Sequence, residues 1–157
     1  MRILCAIGIR RGGELVRRVS RITRTGDELV IVHVLETGPR HDLNHLEGTI
    51  RPHHDHRREL DAAEQEAGGA ALKEAGEEAG LAGIPATTRL ERGRPEQVIV
   101  ALARELSADL VALMAREMPH GHPLQGPPSI GHTARFVFDH APSDVLVFRE
   151  KSEPPWG

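Results

Sequence analysis

Gly121, then nine residues, then Gly131, His132 and Thr133 is the stretch whose residue types and spacing come closest to chemistry. It follows Leu110-Val111-Ala112-Leu113-Met114, five apolar residues bounded by Asp109. Such a run suits a strand covered on both faces of a parallel sheet. After the glycines, Ile130, Ala134, Val137, Phe138 and Ala141 are spaced for one apolar helix face. That helix is expected to open near Ser129, and Val145-Leu146-Val147-Phe148 reads as a last strand. Strand, glycine loop and helix N-terminus in this order form an anion site, because unpaired N–H groups and the positive end of the helix dipole converge there. Pro119, Pro123, Pro127 and Pro128 stiffen the loop. An imidazole at His132 can donate to a phosphate oxygen, better when protonated, although the helix dipole opposes its charge; the competing reading is a histidine facing solvent.

The ten histidines raise a second chemistry. His41, His45, His53, His54 and His56, with Asp42 and Asp55, supply donors for a metal, which needs three or four that converge. A polar mobile loop is the competing reading, so no metal ligand is assigned. His120-Gly121-His122 matches a nucleotidyltransferase His-x-Gly-His only superficially. There is no Gly-x-Ser-x-Gly elbow and no His-Glu-x-x-His. Two lysines against eighteen arginines, neither in a glycine loop, exclude a Walker A site. Asp109 and Asp139 flank the site region with nothing to pair them as acid and base. Cys5 lies in a predicted buried strand with nothing to depress its pKa. No catalytic residue is assigned, and at most slow ATP hydrolysis is expected.

The elements that position these residues begin with a strand from Arg2 to Ile7, ending at Gly8. Arg10-Arg11-Gly12-Gly13 leads into a helix with Leu15, Val16, Val19 and Ile22 on one face. Gly26 stops it, and Leu29 to Leu35 is a second apolar strand. Residues 36–56 form a polar loop of a length that usually means function or mobility. Arg57 to about Gly80 is rich in Ala and Glu and reads as helix, although Gly68, Gly69 and Gly76 weaken it. Ala86 to Leu90 suits an edge strand. Pro95 then opens a helix with Glu96 in its first turn and Val98, Ile99, Leu102, Ala103 and Leu106 on its buried side. His33 is expected to be a strand histidine with a structural partner, and His140 to satisfy carbonyls at a helix end. Five strands alternating with four helices give an α/β fold, a doubly wound, Rossmann-like parallel sheet with helices on both faces.

Gly121 and Gly131 at this spacing, the helix ending His140-Ala141-Pro142 and the strand Val145-Leu146-Val147-Phe148-Arg149 together resemble the C-terminal signature of the universal stress proteins. Ile3-Leu4-Cys5-Ala6-Ile7 resembles that family's first strand, Val32-His33-Val34 its second, and Glu91-Arg92-Gly93-Arg94-Pro95 the turn into its third helix. The resemblance implies strand order 3-2-1-4-5 and, with it, a switch point between strands one and four where open parallel sheets bind ligands. Gly8, Arg10 and Arg11 would there face Ala115, Arg116, Gly121 and Gly131. The family's nucleotide-binding members carry Gly-x2-Gly-x9-Gly-Ser/Thr. This chain has Ala115 after the strand, Met118 where counting back from Gly121 demands glycine, and His132 at the Ser/Thr position with Thr133 next. It also has Gly8 where such members place an aspartate for the ribose. The candidate ligand-binding residues are therefore Gly8, Arg10, Val34, Ala115, Arg116, Gly121, Gly131, His132 and Thr133. ATP or AMP, with Mg only alongside nucleotide, is the ligand where the pocket is retained, and the loss of the carboxylate at Gly8 beside Arg10 and Arg11 points to a ligand more anionic or less ribose-dependent than ATP.

With 157 residues, the chain suggests one domain over residues 1–150 and a loosely held tail over 151–157. A net charge of -3 and pI near 6.4 give no electrostatic reason for nucleic acid or anionic membrane as partner. One cysteine cannot form an internal disulfide, and no signal peptide or membrane-spanning segment is evident, so a soluble cytoplasmic protein is expected. An apolar edge strand at Val145 to Phe148 calls for cover, and the resemblance implies a homodimer formed through it. The sequence thus reads as a homodimeric stress-response or regulatory module whose adenine-nucleotide site is degenerate, weakened or lost. A retained ATP, AMP or other phosphate-ligand switch is the first alternative, and metal binding through residues 41–56 the second.

Overall fold

The computed structural model describes residues 1–37, 54–116 and 129–149. Among them are five strands and four helices in strict alternation: β1 (Arg2–Ala6), α1 (Gly12–Ser20), β2 (Glu28–Glu36), α2 (His54–Leu81), β3 (Ala86–Gly93), α3 (Pro95–Glu105), β4 (Leu110–Met114), α4 (His132–His140) and β5 (Asp144–Phe148). The sheet runs β3-β2-β1-β4-β5 with every pair parallel, the doubly wound order that the resemblance implied. The histidine cluster of residues 41–56, Met118, Gly121, the loop prolines and the tail lie outside the description of side chains. No described helix is long and apolar enough to cross a membrane.

Alternation along the central strands divides the core in two. Ile3 and Cys5 of β1, with Leu29 and Ile31 of β2, meet Leu15, Val16 and Val19 of α1 and Ala71, Leu72, Ala75 and Ala79 of α2. Leu4, Val30, Val32, Val111 and Leu113 meet α3 and α4 on the other side. Near-continuous apolar runs in β1, β2 and β4 follow from this burial on both faces. Cys5 sits fully inside, and burial pushes its thiol up to about 12, so it is a core residue and no nucleophile.

Several boundaries and faces differ from the sequence reading. β1 ends at Ala6, although the amide of Ile7 still donates to the Val32 carbonyl. Gly12 and Gly13 belong to α1 itself, and Ile22 falls past its end, 42% exposed. In α4, Ala134 and Val137 are buried, whereas Phe138 is 60% exposed. At 100° per residue, Phe138 has rotated off the face that Val137 holds, and Phe136 packs against the core instead. α4 begins at His132, with Gly131 as the residue before it, so the expected start near Ser129 is three residues early.

His33 is buried, as its strand position suggested, and its Nδ1 donates to the Ile7 carbonyl at 2.9 Å. The side chain points toward α2, where Gly68 makes room: a Cβ there would lie 2.6 Å from His33 Cδ2. Gly69, one residue on, is exposed and has nothing within 4 Å of such an atom. The two glycines therefore separate propensity from packing. Gly69→Ala should raise stability by about 0.5–1 kcal/mol through helix propensity. Gly68→Ala should lower it by about 1–3 kcal/mol through overpacking of the imidazole. Urea unfolding midpoints of the two variants, read against the parent, should move in opposite directions.

Candidate functional site

β1 and β4 lie side by side, but the chain leaves β1 toward α1 on one face and leaves β4 toward α4 on the other. Divergence of this kind opens a crevice beyond the strand carboxyl ends. A cavity of about 730 Å³ occupies it, a volume suited to a small ligand. Gly8 and Arg10 line it from the end of β1, Val34 from β2, and Ala115 and Arg116 from the end of β4. Gly131, His132 and Thr133 line it from the start of α4. Eight of the nine sequence-selected residues are thus brought together, and the ninth, Gly121, lies outside the described residues.

The glycines at the two mouths of the crevice differ in kind. At Gly131 the backbone has φ 93° and ψ 163°, a region in which L side chains are strained. A Cβ there would also stand 2.7 Å from the Cβ of Arg116. The close approach is held by Arg116 N–H donating to the Ile130 carbonyl at 2.9 Å, while Ala115 N–H donates to the Phe148 carbonyl at 2.7 Å. The end of β4 is thereby fixed against both the entrance of α4 and the end of β5. Gly8 is under no such demand: it is exposed, and a Cβ built on it meets nothing within 4 Å.

The start of α4 carries no side-chain cap from Gly131, and its first intrahelical bond runs from Arg135 N–H to the Gly131 carbonyl. The earlier amides, those of His132, Thr133 and Ala134, belong to residues that line the cavity. Unpaired N–H groups at a helix start favour an anion. Arg10, which lines the same cavity, is exposed, whereas Arg11, just before α1, is engaged by Glu14 at 2.9 and 3.0 Å. His132 is more than half exposed, and its Nε2 lies 3.4 Å from Oε1 of Glu96, whose side chain is only 8% exposed.

Glu96 is the feature that reading by sequence missed. It was legible only as a first-turn acidic residue of α3, where it does suit the helix dipole. Its place in the crevice depends on α3 and α4 packing side by side on one face of the sheet, and no local signal encodes that neighbourhood. Asp109 and Asp139, by contrast, do not flank the site. Asp109 stands before β4, at the opposite end of the sheet, where its Oδ2 accepts from Arg2 N–H at 2.7 Å. Asp139 pairs with Arg135 one turn back on α4. His140 Nδ1 donates to the Phe136 carbonyl at 2.9 Å, the helix-end role expected of it. Among the described residues, no group of three or more His, Cys, Asp or Glu is placed to hold a metal ion.

The model of the universal stress protein family matches residues 1–149 of this chain. Among solved structures, the protein MJ0577 is similar at 16% identity with a TM-score of 0.74, 97% of each chain being covered. The universal stress protein UspA from Lactobacillus plantarum is similar at 22% identity with a TM-score of 0.66, over 95% of this chain and 97% of that one. A universal stress protein family protein from Arabidopsis thaliana, solved with AMP bound, is similar at 14% identity with a TM-score of 0.64, over 97% and 93%. Nothing matches among curated protein sequences.

The positive φ at Gly131 and its contact with Arg116 set a mutational expectation. Gly131→Ala should cost about 1–3 kcal/mol from backbone strain alone, with the clash added. Arg116→Ala in the same background should not rescue it, because the colliding atom is the Cβ that alanine keeps. Thermal melts that showed Gly131→Ala as stable as the parent would refute the tight turn.

Proposed function

Because the chain belongs to the universal stress protein family, we propose that it is a stress-response regulatory module whose crevice takes an adenine nucleotide, with affinity lowered by the missing carboxylate at Gly8. The observation that carries this reading is the cavity itself: residues from five separate segments, the ends of β1, β2 and β4 and the starts of α3 and α4, meet at the switch point, where α4 has no side-chain cap among the described residues. The AMP held by the similar Arabidopsis protein, and the cAMP and dAMP in complexes of two further structural neighbours, support the choice of ligand class. His132 replaces the hydroxyl residue of the family pattern at the first position of α4, and Thr133 stands beside it with a hydroxyl of its own. Magnesium enters this reading only with a nucleotide that carries it. The module regulates by binding and performs no chemistry of its own.

Calorimetric titration of the purified protein with AMP and with Mg-ATP tests the reading. Saturable heat is expected, and Gly8→Asp should strengthen it by supplying a carboxylate where the backbone has room for one. A charged hydrogen bond to the ligand contributes about 1.5–3 kcal/mol, so a gain of roughly tenfold or more in affinity is expected. Absence of binding by both proteins at about millimolar ligand, which corresponds to some 4 kcal/mol, would overturn it.

The module is further proposed to work as a homodimer paired through β5. This strand is the last in the sheet, and its residues Val145 to Phe148 are only half-buried. Exposed apolar edges invite pairing. Val147 and Val145 pack against the core under α3 and α4, and Phe148 against the other face under Arg18, whose guanidinium stands 4.7 Å above its ring. Leu146 belongs to neither cluster, which makes it the position to change. Leu146→Arg should convert a dimer to monomer in light scattering with little loss of helical signal, and an unaltered molar mass would count against pairing at this edge.

A further inference from the structure

We propose that Glu96 is a ligand-binding residue, its carboxylate accepting hydrogen bonds from the vicinal hydroxyls of a nucleoside phosphate whose phosphate group lies at the start of α4. The inference rests on the nucleotide reading above and names the contact which that reading lacks at Gly8.

An ionised carboxylate offers about four acceptor directions on its two oxygens. The side chain of Glu96 is 8% exposed, yet among the described residues it has one partner, His132 Nε2 at 3.4 Å, long for a charge-assisted hydrogen bond. With that single long contact, Glu96 keeps acceptor capacity that the described residues do not use. Glu96 also forms part of the cavity wall. A molecule in the cavity that carries hydrogen-bond donors meets this carboxylate.

Position then selects the donor. Glu96 and the backbone of His132 are separated by one imidazole, and the amides of His132 and Thr133 open α4. A phosphate on those amides and a donor at Glu96 must belong to groups a few bonds apart on one small molecule. In a nucleoside monophosphate the sugar hydroxyls meet that condition and the base does not. Charge reinforces the choice. A buried carboxylate close to a phosphate repels it, and hydroxyls donated to Glu96 offset the repulsion. A ligand lacking them meets it in full, with the acceptor left unpaired, which is how a polar site rejects an analogue that lacks a hydroxyl. Glu96 thus sets specificity from α3.

Calorimetry with AMP and 2′,3′-dideoxy-AMP on the parent protein, Glu96→Met and Glu96→Gln is the test. The parent should prefer AMP by on the order of tenfold or more. In Glu96→Met the preference should vanish, because AMP binds more weakly while the dideoxy compound holds or gains as the repelling charge is removed. That opposite movement is not what general loosening of the fold would give, and Glu96→Gln, nearly isosteric and uncharged, should show a reduced preference even if the methionine variant folds poorly. A parent that binds both nucleotides equally, or a Glu96→Gln that keeps the full preference, overturns the role of Glu96 while leaving the nucleotide reading intact. A parent that binds neither removes both.

Discussion

The parallel pairing of β1 with β4, from Ile3↔Leu110 to Ala6↔Leu113, is the constraint on which the remaining architecture depends. It joins segments far apart in sequence and is locked at the amino end by reciprocal bonds. Arg2 N–H donates to Asp109 Oδ2 at 2.7 Å, and Asp109 N–H donates to the Arg2 carbonyl at 2.9 Å. Arg2 adds a guanidinium bond to Glu28 at 2.6 Å and another to the Leu106 carbonyl at 2.7 Å. A slip of one residue would turn Leu4 and Val111 toward the wrong face. With the register fixed at this end, the carboxyl ends must come level, and right-handed crossovers must send the chain to opposite faces. The crevice is a geometric result of that pairing.

Its electrostatics follow from what the helices contribute. α4 contributes an N-terminus with no side-chain cap among the described residues, and α3 contributes a carboxylate from its own first turn. Glu96 is favourable to α3 through the helix dipole, and it lines the crevice beside Ile99 and Leu113. Its burial leaves it dependent on His132, a residue more than half in solvent. The two helices meet at this one pair of titratable side chains, so local helix energetics and the character of the ligand site are joined at a single contact.

Much of this was legible because burial on both faces writes itself as uninterrupted apolar runs. Leu110 to Met114 and Leu29 to Leu35 could be assigned without knowing their neighbours, and alternation with helices then fixed the fold class. Strand order needed the family resemblance, since five parallel strands permit more than one doubly wound order. Faces of short helices were less legible. Phe138 and Ile22 were assigned inward by apolar type, yet α1 and α4 span about two and a half turns each, and one residue of phase error moves a side chain to solvent. Asp109 was misplaced for a different reason: a carboxylate near a loop in sequence can stand at the other end of the strand from it. Glu96 was invisible as a site residue because its surroundings come from α4 and β4, elements later in the chain.

Glycine shows where pattern and physics part. Gly8, Gly68 and Gly131 are the same letter, and a sequence signature weighs them by spacing alone. In the fold, Gly131 is demanded by a positive φ and by Arg116, Gly68 by the ring of His33, and Gly8 by nothing within 4 Å. The first two are conditions for the architecture to close, so they say nothing of the ligand. Gly8 stands at an open position that no contact reserves for glycine, so its identity follows from no structural need. Gly8 brings no carboxylate to the crevice from β1, whereas Glu96 brings a buried one from α3, two elements that the sheet topology brings to the same cavity.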